Sequence, residues 1–275
     1  MRLMRHLIPF ANLAPRVAVV RLSGPIGGGG RLGGGLSDAS VGPVIERAFR
    51  AGRPTAVAIV INSPGGSAVQ SALIAARIRR LAAERKLPVH AFVEDAAASG
   101  GYWLACAADD IWVDRSSILG SIGVISAGFG LADLIGRQGI ERRVHTAGRS
   151  KSFADPFMPE RPEDTARLRV VLDDIHEAFI DHVRTSRGAR LKDAPGLFEG
   201  EFWTGQRAVD LGLADGIGHL EPKLRALYGD KVRLMRHGQR TPFLRRLGLA
   251  RAAGEAVEGA VDAAQGRALW ARLGL

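Results

Sequence analysis

A serine and a lysine, each set among small residues, are the side chains in this sequence best suited to carry out chemistry. Ser99 lies in residues 98–101 (ASGG), and Lys151 lies in residues 148–152 (GRSKS). A serine hydroxyl becomes a nucleophile when a base accepts its proton, and a lysine amine can be that base where burial keeps it neutral. The two segments therefore predict a hydrolase with a Ser-Lys pair.

The choice of lysine at position 151 is informative because this chain uses arginine for most of its positive charge. Of the 38 basic residues only five are lysines, and arginine stays protonated in proteins, so it cannot act as a neutral base. A solvated loop lysine remains the simpler interpretation of the residue alone. The histidines His90, His145, His176 and His182 also remain open as bases.

Two glycine-rich segments could bind the negative charge that forms when a carbonyl is attacked. Residues 62–66 (NSPGG) follow an apolar strand, and Gly100 follows Ser99 directly. Backbone amides at such loops, above all the amide after a nucleophile, can form an oxyanion hole. Gly66 and Gly100 are the predicted donors; an ordinary Pro-Gly turn and a helix cap at Ser99 are the alternatives.

Strand and helix patterns alternate along the chain. Apolar, β-branched runs predict strands at 16–22, 56–61, 89–93, 110–113 and 143–146, and helical spacing predicts helices at 41–51, 68–85, 101–108 and 162–187. Residues 202–205 and 211–215 are expected to form turns with short elements, and the glycine run 27–35 a loop. This alternation predicts an α/β fold with a mostly parallel sheet.

The sequence is divided into three parts by its composition. We expect an N-terminal extension at 1–15, a folded body at 16–228 and an amphipathic helical tail at 229–275. No run reaches the 18 or so apolar residues of a membrane-spanning helix. The lone Cys106 excludes an internal disulfide and a multi-cysteine metal site, and its apolar setting predicts a buried structural thiol.

The formal net charge of +10 suits an anionic partner. Its basic residues are spread along the chain and no nucleic-acid motif accompanies them, so we expect no nucleic-acid partner. Peripheral contact with a membrane stays open. The expected location is cytoplasmic or peripheral to a membrane.

Four segments, in order and spacing, resemble the signal peptide peptidase A family of serine peptidases. They are residues 62–67 (NSPGGS), 98–103 (ASGGYW), 120–124 (GSIGV) and 148–152 (GRSKS). The resemblance implies a fold of the ClpP and crotonase type, built of stacked ββα units, followed here by the helical tail. It also implies Ser99 as nucleophile, Lys151 as general base, and the amides of Gly66 and Gly100 as the oxyanion hole.

The same resemblance implies a substrate class and an assembly. Members hydrolyse cleaved signal peptides and other short or unfolded apolar peptides, without a metal, ATP or another cofactor. They form homo-oligomeric rings in which neighbouring protomers or repeats complete each site. This chain departs from the family pattern in having no N-terminal transmembrane segment evident, and in the aromatic pair Tyr102 and Trp103 after the two glycines.

Three alternatives remain at this point. A crotonase-like acyl-CoA enzyme would use the same two-amide oxyanion hole, although it gives no reason for Lys151. A non-catalytic, membrane-associated scaffold would account for the basic surface and the amphipathic tail. A Ser-His-Asp peptidase would use a histidine such as His145.

Overall fold

One sheet organises the computed structural model, which describes residues 14–27, 35–148, 151–238 and 267–275. Its strands are β1 (Arg16–Ser23), β2 (Ala56–Ser63), β3 (Val89–Ala98), β4 (Asp110–Val113), β5 (Ile118–Gly120), β6 (Phe202–Thr204), β7 (Gly216–Ile217) and β8 (Arg233–His237). Neighbours follow the order β6-β5-β3-β2-β1-β8, with β4 between β3 and β7. All pairings are parallel except that of β5 with β6. The predicted α/β class is confirmed.

Helices connect the strands and cover the sheet. They are α1 (Asp38–Arg50), α2 (Ala68–Arg85), α3 (Gly100–Ala105), α4 (Ala132–Arg137), α5 (Pro162–Arg187), α6 (Gly205–Asp210) and α7 (Leu220–Tyr228). The bounds of α2 and α5 are those predicted from sequence. Helix α5 begins with a proline and acidic residues in its first turn and ends at Gly188, whose φ of 52° lies in the left-handed region. Such signals determine both ends of a helix.

The central strands are buried on both faces, which explains their continuous apolar sequence. On one face of β2, Val57, Ile59 and Ile61 belong to the large core formed with α1, α2 and α3. On the other face the strand contributes to a smaller cluster that includes Phe92 of β3 and Leu224 of α7. Each large side chain buried in this way contributes about 1.5–3 kcal/mol. The sheet is thus a rigid base for the loops at its edges.

The third strand departs from the prediction in a way that matters for the site. It was expected to end at Val93, but it continues to Ala98, and residues 96–98 pair with β5. Its pairing with β2 shifts between Ile61 and Ser63, because an irregularity inserts extra residues into β3 there. The side chain of Asn62 spans this irregularity, donating to Asp95 at 2.6 Å and accepting from the Ala96 amide at 3.2 Å.

Other predicted bounds were wrong in detail. Helix α1 begins at Asp38, because Ser37 and Ser40 form a capping box, and α3 ends at Ala105 rather than at 108. The strand predicted at 143–146 does not form. Its residues are mostly exposed, so their β-branched and apolar members have no sheet to pack on.

The sheet also extends beyond Tyr228, where the folded body was expected to end. Strand β8 pairs in parallel with β1, and Arg16 is opposite Arg233. Its sequence, RLMRH, has too few apolar residues to be recognised, because an edge strand needs only partial burial. Of the predicted tail, residues 267–271 are helical and 239–266 lie outside the described residues, as does most of the predicted loop at 27–35.

Candidate active site

Ser99 occupies a sharp turn between β3 and α3. Its φ and ψ are 52° and −121°, a conformation that costs a residue with a side chain about 1–3 kcal/mol. The turn is fixed on both sides: its amide donates to the Gly120 carbonyl at 2.8 Å, and its carbonyl accepts from the amides of Tyr102 and Trp103. A strained strand-to-helix turn is how many hydrolases present a serine hydroxyl.

The loop after β2 passes directly beneath this turn. A Cβ atom on Gly65 would lie 2.7 Å from Ser99 Cβ and 2.8 Å from the Gly100 nitrogen. A Cβ on Gly66 would overlap the Ile26 carbonyl, and one on Gly100 would overlap Ser71 Oγ. Only glycine lets these backbone segments approach so closely. Gly65 and Ser71 were not among the predicted site residues, although Gly65 belongs to the NSPGGS segment.

Two amides beside Ser99 are free to bind a ligand. Within the described residues, neither the Gly66 nor the Gly100 amide donates a hydrogen bond, and the Gly66 nitrogen lies 3.4 Å from the Cβ position of Gly100. The loop bearing Gly66 is held by Ile26, whose amide donates to Gly65 and whose carbonyl accepts from Ser67, both at 2.8 Å. Paired amides held in this way can stabilise an oxyanion.

The close packing at Gly101 leads to a testable prediction. A Cβ there would lie 2.6 Å from the Ser63 carbonyl oxygen, so Gly101→Ala must displace α3 from β2. We expect a loss of about 1–3 kcal/mol in the free energy of unfolding, measured by urea denaturation. The matched control is Gly136→Ala in exposed α4, where nothing lies near the new methyl group and stability should stay level or rise. Equal stability of Gly101→Ala and the unchanged protein would contradict the packing described.

Helix α5 holds α3 in place through aromatic contacts. Trp103 stacks on Phe179 and His182, with ring centroids 4.8 and 5.0 Å apart. Nε2 of His182 lies 3.0 Å from the Trp103 carbonyl oxygen, and burial lowers the pKa of this histidine. The Tyr102 hydroxyl donates to the Leu213 carbonyl at 2.8 Å. The aromatic pair therefore anchors the helix that begins beside Ser99.

A buried ion pair between Arg187 and Asp215 lies near α3. Arg187 donates to the Gly212 carbonyl and to Asp215, at 2.8 and 2.9 Å. Burial alone would raise the pKa of Asp215, but its hydrogen bond and charge interaction with Arg187, together with the Ile111 amide and the charge of Arg190, lower it. Burial raises the pKa of Cys106 to about 11, so this thiol stays protonated at neutral pH, as expected of a structural cysteine.

The histidines considered as bases contact other groups. His90 lies 2.8 Å from Asp110 and 2.7 Å from the Tyr228 hydroxyl, and His176 lies 3.1 Å from the Ile122 carbonyl. His145 is exposed. In the part of the chain that the structure describes, no histidine forms a hydrogen bond with Ser99. No group of three or more metal-ligating side chains occurs there either.

No hydrogen bond joins Lys151 to Ser99 among the described residues. Lys151 lies in an exposed turn of the outer segment, which we define as residues 124–148 and 151–161. Its ammonium group and Ser99 Oγ each form no hydrogen bond among the described residues. The outer segment also exposes large apolar side chains, among them Ile125 and Phe129 at 64% and 86% of their surface.

Comparison with known proteins identifies the family. Residues 82–230 match the sequence profile of Peptidase family S49, a range that includes Ser99, Gly100 and Lys151. The chain belongs to peptidase family S49. This assignment favours the peptidase over the acyl-CoA enzyme and the scaffold.

Individual relatives match larger parts of the chain than the family profile does. "Serine protease SPPA, chloroplastic" of Arabidopsis thaliana is 32% identical over 213 residues, 74% of this chain and 31% of that protein. A Brucella melitensis protein named "Na(+)/H(+) antiporter NhaA" is 48% identical over 99% of this chain. The chain spans only 39% of that relative's length, and the name describes the longer protein.

A solved structure supports the S49 fold. A lysine-to-alanine variant of a "1510-N membrane-bound stomatin-specific protease", in complex with a substrate peptide, has a TM-score of 0.51 and 15% identity. The match covers 91% of this chain and 99% of that chain. The ClpP and crotonase type of fold is confirmed. Among the helices described here, none is long and apolar enough to cross a membrane.

Proposed function

We propose that this S49 protein is a serine endopeptidase with Ser99 as its nucleophile. The observation that carries the proposal is the strained turn at Ser99 beside the free amides of Gly66 and Gly100. That arrangement supplies a half-buried serine hydroxyl and an oxyanion hole at the carboxyl ends of the strands, which are the two parts that acyl transfer needs. Membership of the family supports the same chemistry.

The proposed reaction has two steps. Ser99 Oγ attacks the scissile carbonyl carbon while its proton passes to Lys151 Nζ, and the resulting oxyanion is held by the amides of Gly66 and Gly100. The intermediate collapses, the C–N bond breaks, and the leaving amine takes the proton from Lys151. Water then attacks the acyl-serine by the same route, releasing the acid and restoring both side chains.

In this proposal, Lys151 becomes the base only when copies of the chain assemble. A lysine exposed to water is protonated at neutral pH, so it needs a drier place to act as a base. Contact between copies of the chain would supply that place, because the outer segment exposes both Lys151 and apolar side chains such as Phe129. We therefore propose a homo-oligomer, a ring in the family's manner, in which one copy brings Lys151 to the Ser99 of another.

The proposed substrates are signal peptides and other short or unfolded apolar peptides. An extended chain can reach a serine at the edge of a sheet, whereas a folded protein presents no free backbone there. The S49 relative solved with a substrate peptide agrees with this class. The proposed reaction uses only side chains and backbone amides and needs no cofactor.

A serine-directed probe tests the nucleophile. We expect a fluorophosphonate to modify Ser99 in the assembled protein, because among the serines that the structure describes it is the one that combines a strained turn with two free amides. Peptide mass spectrometry locates the adduct. Ser67, which caps α2 nearby, serves as the internal control and should stay unmodified. Modification of several serines at similar rates, or of none, would contradict the assignment.

A further inference from the structure

Unpaired positive charge lies at the amino-terminal ends of the parallel strands, opposite the active site. We call this side of the sheet its amino-terminal edge. Strands β1, β2, β3 and β8 all begin at this edge, since their registers align Arg16 with Arg233, Val17 with Ala56, and Val57 with Val89. Seven basic residues start these strands or lie within the six residues before them. This basic edge consists of Arg16, Arg50, Arg53, Arg85, Lys86, Lys231 and Arg233.

The charges of the basic edge are not neutralised by the protein. All except the half-buried Arg16 are exposed, and none of the seven forms an ion pair among the described residues. Two other arginines on α2, by contrast, form ion pairs: Arg79 pairs with Asp109 and Arg80 with Glu84. Asp110 is engaged by His90. Of the acidic residues around this edge, Asp110, which forms no described ion pair with a lysine or arginine, and Asp230 remain to offset it.

The sequence before β1 is rich in apolar and basic residues. Residues 1–13 (MRLMRHLIPFANL) lie outside the described residues, but they join the chain just before Arg16. Their sequence combines two arginines with leucine, isoleucine and phenylalanine. Positive charge next to apolar side chains suits the boundary between anionic headgroups and acyl chains.

We propose that the basic edge binds an anionic membrane surface. Each arginine or lysine near such a surface adds to the attraction, which acts within about a Debye length, roughly 10 Å at moderate salt. The basic edge presents several such charges on one side of the molecule. A membrane offers a flat sheet of negative charge that can engage them together.

This binding mode fixes the direction in which the active site faces. Ser99 follows the last residue of β3, so it lies at the carboxyl ends of the strands, whereas the basic edge lies at their amino ends. At about 3.3 Å per residue, a strand as long as β2 separates the two by roughly 25 Å. Ser99 would face away from the bilayer, accessible to peptides in the aqueous phase. The inference rests on charge and topology and is independent of the proposed peptidase activity.

Vesicle binding tests the proposal on the full chain. We expect cosedimentation with vesicles of phosphatidylcholine mixed with phosphatidylglycerol, no cosedimentation with phosphatidylcholine alone, and release by salt. The triple variant Arg50→Glu, Lys86→Glu, Lys231→Glu should bind the anionic vesicles at least about 100-fold more weakly. If that variant fails to fold, the same three positions changed to glutamine give a milder loss in the same direction.

The matched control changes the same charge elsewhere. Arg115, Arg169 and Arg207 are exposed and lie away from both the basic edge and the outer segment, in the turn after β4, on α5 and on α6, and none is in a described ion pair. Their triple change to glutamate should leave vesicle binding close to that of the unchanged protein. An equal loss in both triple variants would show an effect of net charge and overturn the proposal. Absence of binding to anionic vesicles, or tighter binding to a DNA or RNA duplex at the same salt, would also overturn it.

Discussion

Replacing Ser99 with alanine is expected to lower the rate of peptide cleavage at least about 10³-fold, because the acyl-enzyme route loses its nucleophile. The remaining rate reflects binding and the oxyanion amides alone. The fold should persist, since alanine carries the same backbone penalty at a φ of 52° and keeps the amide bond to Gly120. Hydrolysis of a fluorogenic apolar peptide by the purified, assembled protein measures the effect.

The control for this variant is Ser116→Ala. Ser116 is an exposed serine in the turn between β4 and β5, held by a bond from its amide to Asp114 rather than by its hydroxyl. Its removal should leave cleavage unchanged. If Ser99→Ala retained the rate of Ser116→Ala, the nucleophile would have to be another residue.

The sequence was sufficient to predict the parts of the fold that depend on local patterns. The apolar run of β2 and the caps of α5 each carry their own signal, so the α/β class and the bounds of α2 and α5 are confirmed. The glycine-rich loops at the carboxyl ends of β2 and β3 likewise predicted that Gly66 and Gly100 serve one site. The structure places Gly66, Ser99 and Gly100 together there.

What the sequence could not predict depends on contacts between distant segments. The extension of β3 to Ala98 requires β5 as a partner and Asn62 to span the irregularity, and neither is visible in a run of alanines. Strand β8 is recognised only by its pairing with β1. For Lys151, the residues alone favoured a solvated loop lysine and the family resemblance implied a base; the described chain leaves it exposed. Its environment therefore depends on what covers the outer segment.

The second large effect is expected at Lys151. Changing it to alanine or to arginine should lower the rate of cleavage by about 10²–10⁴-fold, the range typical of a lost general base. Arginine keeps the positive charge but cannot give up its proton, so it cannot restore the reaction. The same fluorogenic assay measures both variants. An arginine variant as active as the unchanged protein would mean that the charge of Lys151, and not its basicity, is what matters.

Mixing two inactive variants locates the base relative to the nucleophile. If one copy brings Lys151 to the Ser99 of another, oligomers assembled from Ser99→Ala and Lys151→Ala chains contain some sites with both side chains intact. Dissociating the two proteins, mixing them and allowing reassembly should then restore part of the activity that each lacks alone. Two preparations of the same variant, treated identically, are the control and should stay inactive. If Ser99 and Lys151 act within one chain, mixing restores nothing, and the outer segment must instead fold back over its own active site.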